Sequence, residues 1–383
     1  MAIITGIDVG THSIKLITAE INNPSHPRIL LLQKTPSHGV HKGIITDIAA
    51  FKQAISRATE KMEADLAKKG IKKPFRNLYA SLSGSHLKAN QSAGTILLNP
   101  QKKITKNDIR TVVKNARKNI VTPNEKIRIA SLRQSFFIDG AMCPNPLERR
   151  GQKLQARYWH VFADEKHIKD IEQSVDQRGL KISFHIFSSL ASASVLAERP
   201  LKTQGVVIVD IGAGSTDFAA YHKGSIFFTG SLPVGGNHIS YDLCRALNIK
   251  RDRAESLKHA SETTLAGEKP EIAETVEIVI NARVNEIFRF IKSSLGEKDR
   301  DFFRAGIILT GGTSHLRNIE KIASHAIGLD IRKREFPQWV DENLRRPEYT
   351  TALGLIELGS DELLKRPPEP NIFRKIKKIF SFS

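Results

Sequence analysis

Residues 205–224, GVVIVDIGAGSTDFAAYHKG, contain the pattern that decides the fold. An apolar run leads to Asp210, a turn rich in small residues follows, and apolar sequence then resumes. This pattern predicts a strand, a tight turn and a second strand. Residues 3–21, IITGIDVGTHSIKLITAEI, repeat it with Asp8 in the equivalent place. Two similar hairpins predict duplicated halves whose turns lie on either side of one cleft.

The two turns carry the groups that bind a polyphosphate. Such a ligand needs backbone N–H donors at close approach, small residues that permit it, and hydroxyls or a cation that share its charge. The predicted phosphate-binding residues are Gly10, Thr11, Ser13 and Lys15 in the first turn, and Gly212, Gly214, Ser215 and Thr216 in the second. Asp8 and Asp210 are predicted to hold a hydrated Mg²⁺, which usually keeps its waters and uses one or two carboxylates.

A third glycine turn, TGGT at residues 310–313, follows an apolar strand and precedes a helical pattern. Gly311 and Gly312 would let a flat ring lie against the backbone, with a helix N-terminus facing the phosphates. The Walker spacing of phosphate-binding loops occurs nowhere in the chain. A plain hairpin turn explains one Asp-x-Gly sequence, but two of them together with this turn favour a nucleotide cradle.

The rest of the chain alternates strand and helix patterns, which indicates an α/β protein with mixed sheets. Residues 45–70 have helical periodicity that ends at Gly70, and Thr105 with Asp108 three residues later predicts a capped helix. The only cysteines, Cys143 and Cys244, fit no zinc or disulfide framework and suit a reducing cytoplasm. No apolar run approaches the roughly 20 residues of a spanning helix, and we expect no signal peptide.

The formal net charge of +19 indicates either a polyanionic partner or simply solvated basic faces. Aromatic residues make up 7% of the chain and do not alternate with basic residues as base-stacking surfaces do. A nucleic-acid partner is therefore disfavoured, which leaves nucleotide phosphates and an anionic membrane as the expected polyanions.

Two phosphate hairpins and a TGG turn together resemble the actin and sugar-kinase superfamily. Further motifs are similar to those of the FtsA family, the actin-like proteins that anchor the FtsZ ring in dividing bacteria. These motifs span nearly the whole chain in order: GVHKGIITDI, LSGSH, RQSFFIDG, RGLKI, SLASASVL, VDIGAGSTDFAAY and EYTTALGLIELG. The resemblance implies a two-lobed actin-like ATPase fold around ATP, with duplicated nucleotide-binding halves and an FtsA-type 1C subdomain.

The resemblance also implies a domain layout. Subdomain 1A would comprise residues 1–84 and 165–199, 1C residues 85–164, 2A residues 200–235 and 302–358, and 2B residues 236–301. Residues 359–371 would be a linker, and 372–383 a membrane-targeting helix. The stretch HASETTLAGEKPEIAETVE is shorter than its counterpart in well-known FtsA proteins, so 2B would be trimmed.

Several residue roles follow from the resemblance alone. Glu255 and Lys258 match the superfamily's ribose and base contacts, although a solvated helical ion pair is the alternative. Gly235 and Gly236 match a further nucleotide-contacting turn. Ser188 and Ser189 stand where related ATPases carry carboxylates that orient the attacking water, so hydrolysis is expected to be slow at most. Arg283 and Glu286 match the region of 2B that binds the FtsZ C-terminal peptide, with an ordinary ion pair as the alternative.

The last thirteen residues, NIFRKIKKIFSFS at 371–383, alternate apolar and basic residues at helical spacing. We interpret them as an amphipathic helix that lies in an anionic membrane surface, after a proline-rich linker. The predicted membrane-binding residues are Ile372, Phe373, Arg374, Lys375, Ile376, Lys377, Lys378, Ile379 and Phe380. The alternative is a tail that docks on the protein's own surface.

Together these features predict a peripheral protein on the cytoplasmic face of the membrane at the division site. Its expected partners are FtsZ, further copies of itself, anionic lipid and, through 1C, later division proteins. Two alternatives stay open: a scaffold like PilM of type IV pili, which the basic tail disfavours, and a phosphotransferase of the sugar-kinase branch. The second would need a catalytic carboxylate near a sugar hydroxyl, for which the sequence offers no convincing candidate.

Overall fold

A computed structural model describes residues 2–23, 26–71, 77–296 and 301–365, the last four by their backbone alone. The described part contains two lobes and an inserted subdomain, and each of these three units has its own sheet. Within these ranges no helix combines the length and hydrophobicity needed to cross a membrane.

The first lobe is built on a five-stranded mixed sheet. Its strands are β1 (Ala2–Val9), β2 (Ser13–Ile21), β3 (Arg28–Pro36), β6 (Asn77–Leu82) and β11 (Lys181–Phe187), in the order β11-β6-β1-β2-β3. β1, β2 and β3 are antiparallel neighbours, whereas β6 runs parallel to both β1 and β11. The other elements of this lobe are α1 (Ile48–Lys68), α3 (Glu165–Asp176), α4 (Ser188–Leu196), α5 (Arg199–Gln204) and the short pair β4 (Val40–His41) and β5 (Ile44–Ile45).

The second lobe repeats this arrangement. Its strands are β12 (Val206–Ile211), β13 (Thr216–His222), β14 (Ser225–Leu232) and β15 (Ile307–Thr310), in the order β14-β13-β12-β15. Again three strands are antiparallel neighbours, and the fourth, β15, runs parallel to β12. The helices of this lobe are α6 (Gly236–Leu247), α7 (Arg251–Lys258), α8 (Glu262–Ala266), α9 (Pro270–Leu295) and α10 (Ile319–Ile327). The predicted duplication is confirmed.

β12, the first strand of the second hairpin, is buried on both faces. Val207 and Val209 pack in the core of the second lobe, whereas Val206 and Ile208 pack in the core that continues into the first lobe. Because β12 is apolar on both faces, a shift by one residue would still bury apolar side chains, so burial alone does not fix its register. Its hydrogen-bonded neighbours β13 and β15 therefore set the register, which brings Asp210 opposite Asp217 and Thr310.

The inserted subdomain lies between β6 and α3. It contains β7 (Lys88–Leu97), β8 (Lys126–Ile138), β9 (Ala141–Cys143), β10 (Lys153–Asp164) and α2 (Lys106–Lys118). The sheet order is β7-β10-β8-β9, and α2 packs on β7 and β10 over a small core around Val112, Ala116 and Tyr158. The predicted capping box at the start of α2 is confirmed, because Thr105 and Asp108 each accept a hydrogen bond from the other's backbone amide.

This inserted subdomain also contacts the second lobe. Trp159 Nε1 on β10 donates to the carbonyl of Phe227 on β14 at 2.6 Å, and Gln134 Nε2 on β8 donates to the same carbonyl at 3.3 Å. The Trp159 and Phe228 rings meet edge to face, with centroids 5.2 Å apart. The insertion is thus joined covalently to the first lobe and by these contacts to the second.

The C-terminal helix differs from the predicted domain layout. α11 (Thr350–Lys365) continues seven residues beyond position 358, where a linker was predicted, and it packs against β1, β2, β6 and α4 of the first lobe. The prediction was wrong because Gly359 lies inside the helix and contacts Ile4 and Tyr79 instead of ending it. The residues after 365, including the remainder of the predicted linker and the predicted membrane helix, lie outside the described residues.

Two buried histidines lie where the inserted subdomain leaves the first lobe. The rings of His86 and His167 have centroids 4.0 Å apart and planes tilted by 41°, and neither nitrogen of His86 has a hydrogen-bond partner among the described residues. Burial lowers the pKa of His86 to about 2 and that of His167 to about 4. Both rings are therefore neutral in the folded protein at neutral pH.

Replacing His86 by phenylalanine is expected to stabilise the protein, and more so at acid pH. Below about pH 6.5 the unfolded chain binds a proton at His86, but the folded chain does not. Through this residue the free energy of unfolding of the wild type therefore decreases by about 1.4 kcal/mol for each unit by which the pH is lowered. The advantage of His86→Phe, measured by urea unfolding, should therefore grow by about 2 kcal/mol between pH 7.5 and 5.0. Exposed His26→Phe is the control. An equal advantage at both pH values would contradict the assignment of a neutral buried ring.

Candidate functional site

A cavity of ≈ 300 Å³ lies between the lobes, and both hairpin turns line it. The glycine turn after β15 and the helices α6 and α7 complete its walls. Of the sixteen residues predicted to bind nucleotide, fourteen line this cavity: Asp8, Gly10, Thr11, Ser13, Lys15, Asp210, Gly212, Gly214, Ser215, Gly236, Glu255, Lys258, Gly311 and Gly312. Residues from distant parts of the sequence thus meet at one cleft.

The other two predicted residues lie behind the wall. Thr216 is fully buried, and its hydroxyl donates to the carbonyl of Val234 at 2.8 Å. The amide of Gly235 donates to His238 Nδ1 at 3.2 Å, and a Cβ at Gly235 would contact the Gly212 carbonyl at 2.5 Å. Both residues therefore support the second turn from behind and do not face the cavity.

Several residues that line the cavity at the two turns have backbone amides without partners in the described part of the chain. Gly10 and Gly212 use their N–H groups to close their own turns, by bonds of 3.2 and 2.9 Å to the carbonyls of Ser13 and Ser215. The N–H groups of the residues at the tips make no hydrogen bond within the described part of the chain; these residues are Thr11, His12, Ala213, Gly214 and Ser215. Unpaired amides converging on one space are the donors that a polyphosphate requires.

The two turns touch each other at Gly214. A Cβ there would lie 2.3 Å from Thr11 Oγ1 and 2.9 Å from Lys42 Cα, so only glycine permits this approach. Thr11 Oγ1 in turn accepts a hydrogen bond from the Gly43 amide at 3.0 Å. The contact brings both sets of amides to one side of the cavity.

The first carboxylate of the cleft, Asp8, has a partner for each oxygen. Lys15 Nζ donates to Oδ2 and the Ser81 hydroxyl to Oδ1, both at 2.7 Å. Burial disfavours the charge of Lys15, but the Asp8 carboxylate outweighs this effect and raises the pKa of Lys15. Asp210 acts in the same direction, so Lys15 stays charged beside both hairpins and can meet a phosphate.

The second carboxylate, Asp210, is held by two hydroxyls. Ser192 on α4 and Thr351 on α11 both donate to its Oδ2 at 2.7 Å. Burial raises the pKa of Asp210, against the opposing effect of these hydrogen bonds. A cation in the cleft would reverse that effect, because it would stabilise the ionised carboxylate.

A hydrated magnesium ion fits these residues. Within the described ranges no group of three or more His, Cys, Asp and Glu side chains could enclose a metal by itself. Asp8 and Asp210 are nevertheless oriented by hydrogen bonds from neighbouring side chains, and both line one cavity. Magnesium commonly binds through one or two carboxylates together with waters and substrate phosphates, which is the arrangement that these side chains permit.

The glycine turn after β15 lines the cavity beside the second hairpin turn. Gly311 has φ +83°, and a Cβ there would lie 2.4 Å from Asp210 Oδ1. Gly312 faces open space, since its nearest neighbour for a Cβ would be 4.0 Å away. The structure differs from the prediction in one respect: a 3₁₀ turn at residues 312–315 follows directly, and α10 begins only at Ile319.

Glu255 and Lys258 form a buried polar group beside this wall. Lys258 Nζ lies 2.7 Å from Glu255 Oε2 and donates to the Ser240 hydroxyl at 2.8 Å. Ser240 also donates to Glu255 Oε1. Burial lowers the pKa of Lys258. Burial also disfavours the charge of Glu255, but Lys258 and Ser240 stabilise that charge more strongly, so the pKa of Glu255 is lowered. The solvated ion pair that was the alternative does not describe Lys258, which is 4% exposed.

The sequence did not identify several residues that line the cleft. They include His12, Lys34, Ser83, Asn237, His259, Thr313, His315, Glu348 and Thr351. His315 Nε2 and Glu348 Oε2 are 2.9 Å apart across the glycine turn. Glu348 and Thr351 belong to the motif EYTTALGLIELG, so a signal existed, whereas nothing near Lys34 on β3 indicated a site.

Ser188, where related ATPases were expected to carry a carboxylate, faces the cleft. Its hydroxyl donates to Asp217 Oδ2 at 2.8 Å. Burial raises the pKa of Asp217 to about 7. Ser189 is fully buried and bonds to the Thr229 hydroxyl at 3.2 Å, so it does not line the cavity.

The predicted FtsZ-contacting pair lies on α9, away from the cleft. Arg283 Nη1 donates to Glu286 Oε2 at 2.6 Å, and its Nε donates to Asp242 Oδ2 on α6 at 2.5 Å. These bonds to Asp242 and Glu286 raise the pKa of Arg283. Arg283 thus joins two helices as well as presenting charge at the surface. The predicted membrane-binding residues, 372–380, lie outside the described residues.

Two family models match the chain. Residues 207–354 match the model described as cell division protein FtsA, and residues 84–162 match the SHS2 domain inserted in FtsA. The FtsA protein of Neisseria meningitidis is 27% identical over 92% of this chain and 89% of its own length. The Escherichia coli protein is 25% identical over 96% of this chain and 92% of its own length.

Solved structures share the fold. The PilM–PilN type IV pilus biogenesis complex contains a chain with a TM-score of 0.63 and 18% identity, covering 93% of this chain and 98% of its own. MreB5 of Spiroplasma citri bound to ADP has a TM-score of 0.51 and 13% identity, covering 95% and 97%. At these identities the likeness is one of fold, and the predicted two-lobed actin-like fold is confirmed.

Proposed function

Because this chain belongs to the FtsA family of cell division proteins, we propose that it binds ATP with Mg²⁺ between its lobes and links FtsZ to the membrane. The observation that carries the nucleotide part is the convergence of unpaired amides from two hairpin turns on one cavity. Calorimetric titration of the protein with ATP, with and without Mg²⁺, tests this part directly. No binding in either condition would exclude it.

In this proposal each wall of the cleft has its own task. The amides of the two tips and Lys15 hold the phosphates, while Asp8 and Asp210 hold the hydrated Mg²⁺. The open surface over Gly312 takes the base, and Glu255 with Lys258 takes the ribose and base edge. The magnesium ion would neutralise phosphate charge and orient the terminal phosphate. Thr216 and Gly235, which do not line the cavity, are left out of the ligand-binding set.

Nucleotide binding is proposed to control assembly, and turnover is a minor activity. Where related ATPases were expected to carry a carboxylate that orients water, Ser188 has only a hydroxyl. That hydroxyl already donates a hydrogen bond to Asp217. A ligand that contacts both lobes stabilises their closed arrangement. The size of this effect is set by how much more tightly the ligand binds the closed arrangement than the open one. The bound ATP therefore acts chiefly as a structural ligand, and the protein is a scaffold.

The partners of this scaffold are proposed from the family and from the sequence. The FtsZ C-terminal peptide would bind 2B near Arg283 and Glu286, later division proteins would bind 1C, and copies of the chain would form a polymer. Residues 372–383 would hold the protein on the cytoplasmic face of the membrane at the division site. The similarities found do not favour the pilus-scaffold or sugar-kinase alternatives, since the sequence relatives given above are FtsA proteins.

Reversing the charge of Arg283 is expected to abolish co-sedimentation with FtsZ. An acidic side chain there would repel the carboxylates that Arg283 now faces, and it would also break the bridge between α6 and α9. Arg283→Glu alone therefore cannot separate a binding role from a structural one. ATP affinity, measured in parallel, reports whether the lobe remains folded.

The charge-swapped variant Arg283→Asp with Asp242→Arg separates the two roles. It retains an ion pair between α6 and α9 but moves the cation to the other helix. We expect normal ATP binding. We expect the affinity for the FtsZ C-terminal peptide to fall at least about tenfold. Undiminished FtsZ binding by the swapped variant would mean that this surface is misassigned.

A further inference from the structure

A stripe of cations runs along the outer face of α2, the helix of the inserted subdomain. Its members follow one another at four-residue spacing, and all of them are exposed: Lys106, Arg110, Lys114 and Lys118. Val112 and Ala116, on the inner side of the helix, pack in the small core of the subdomain. Since a helix rises about 1.5 Å per residue, this cationic stripe is about 18 Å long.

No acidic side chain in the described part of the chain forms an ion pair with the cationic stripe. The few acidic groups of the subdomain have other partners: Asp108 caps the start of α2, Asp139 accepts backbone amides, and Glu148 and Asp164 pair with Lys103 and Lys126. Residues 85–164 contain fifteen lysines and arginines against five acidic residues, which gives a formal net charge of +10 out of the chain's +19. The subdomain therefore presents an uncompensated positive face.

Two further arginines add to this charge. Arg117 in the last turn of α2 and Arg128 on β8 form no ion pair within the described residues. Burial, and then the charge of Arg117, lower the pKa of Arg128. Like charges at i and i+4 also destabilise a helix, and the cationic stripe contains three such pairs in succession. An arrangement that costs stability without an internal benefit is a candidate for recognition of an anionic partner.

The form of the cationic stripe favours an extended anionic surface as that partner. The outer face of a helix is convex, so it does not enclose a peptide or a single anion. Three of the four cations are lysines, which act as hydrated point charges, whereas bidentate capture of one carboxylate or phosphate is typical of arginine. Val121, three residues after Lys118, is 76% exposed and is available to contact lipid head groups with its apolar side chain.

We propose that the cationic stripe on α2 is a second membrane contact, which binds the head groups of anionic lipids. The inference rests on the proposed function in one respect: the C-terminal tail would bring the protein to the membrane. Because tail and stripe belong to one chain, binding of the tail raises the effective concentration of the stripe at the lipid surface. The tail then supplies apolar insertion, and the stripe adds selectivity for anionic lipid.

Charge reversal in the full-length chain tests the proposal. The stripe variant carries Lys106→Glu, Arg110→Glu and Lys114→Glu. The control variant carries Arg57→Glu, Lys61→Glu and Lys181→Glu, which change the net charge equally at exposed positions of the first lobe. Both are pelleted with phosphatidylcholine vesicles that contain phosphatidylglycerol, at protein concentrations below those needed for assembly.

The stripe variant should bind these anionic vesicles at least about tenfold more weakly than the wild type, because cations near an anionic surface contribute individually. The control variant should bind like the wild type. On vesicles of phosphatidylcholine alone all three proteins should bind alike, since there the stripe has no anionic partner. Raising the salt concentration should bring the wild type towards the stripe variant, because exposed charges are screened.

A fluorophore on α2 locates the contact directly. Thr111→Cys places a label at an exposed position between Arg110 and Lys114, in a chain with Cys143→Ala and Cys244→Ala. Lipids brominated close to the head group should quench this label on anionic vesicles and much less on neutral ones. This readout depends on proximity to lipid, so a variant that is merely destabilised does not reproduce it.

Three results would overturn the proposal: undiminished binding of the stripe variant to anionic vesicles, an equal loss in the control variant, or no quenching of the label at position 111. An equal loss in the control would mean that net charge alone matters. If the wild type pellets with neither kind of vesicle, the membrane part of the proposed function fails, and this inference fails with it. If the wild type pellets but reversal of the stripe has no effect, this inference alone fails.

Discussion

Replacing Asp210 by alanine is expected to lower the affinity for Mg-ATP by about 10- to 100-fold. Asp210 is one of two carboxylates proposed to hold the hydrated magnesium ion, and hydroxyls of Ser192 and Thr351 orient it. Its removal would take away one anionic contact to the ion and leave both hydroxyls without their acceptor. Calorimetry of the variant with ATP and Mg²⁺ measures the loss.

The magnesium dependence separates this role from general damage to the cleft. With EDTA present, the variant and the wild type should bind ATP with similar, weaker affinity, because neither then uses the ion. Asp210→Asn retains the shape and an acceptor for the hydroxyls but removes the charge, so it should resemble Asp210→Ala in the calorimeter. Exposed Asp330→Ala should bind normally. Unchanged Mg-ATP affinity in the Asp210 variants would sink the magnesium assignment.

The hairpins were predictable because all of their determinants are local. Asp8 and Lys15 are register partners in one hairpin, as are Asp210 and Asp217 in the other, so a short stretch of sequence specifies each pair. Gly214 shows the limit of such prediction. Its place in the second turn could be inferred from the sequence, but its contact with Thr11 depends on how the two lobes pack, which no local pattern encodes.

Long-range contacts account for the residues that the sequence missed. Lys34 reaches the cleft because β3 lies beside β2, and Thr351 reaches Asp210 across 141 positions of sequence. The end of α11 was mispredicted for a related reason. Packing against the sheet of the first lobe continues the helix through Gly359, although glycine by itself disfavours a helix interior by about 1 kcal/mol.

The contact between the inserted subdomain and the second lobe was equally hidden. Trp159 lies in a strand pattern that predicts only alternation, and its partner is a backbone carbonyl, that of Phe227, which no side-chain pattern identifies. The same limit applies to Thr216 and Gly235, whose sequence positions are right for the site but which lie behind its wall. Sequence motifs thus locate the cleft well and its individual contacts less well.

Removing residues 371–383 is expected to release the protein from anionic vesicles. Half-burying the five large apolar side chains of this segment contributes roughly 4–7 kcal/mol, and each of its four cations near an anionic surface adds about 1 kcal/mol. Ordering a dozen residues costs about 1 kcal/mol or more each, so the net affinity of one tail is small. Pelleting with vesicles should fall about tenfold or more on truncation.

The double variant Phe373→Glu with Ile376→Glu should behave like the truncation, whereas Ser381→Glu with Ser383→Glu adds the same charge with less effect on the apolar stripe. ATP and FtsZ binding should be unchanged in all of them. If the truncated protein still pelleted with lipid, the membrane contact would have to lie elsewhere.

Weak single tails make membrane binding depend on assembly, because tails arrayed on one polymer bind with a high effective concentration. Pelleting of the wild type with vesicles should therefore fall more steeply than in proportion when the protein is diluted below the concentration needed for assembly. ATP binding, polymer formation and membrane attachment would then be successive steps of one mechanism.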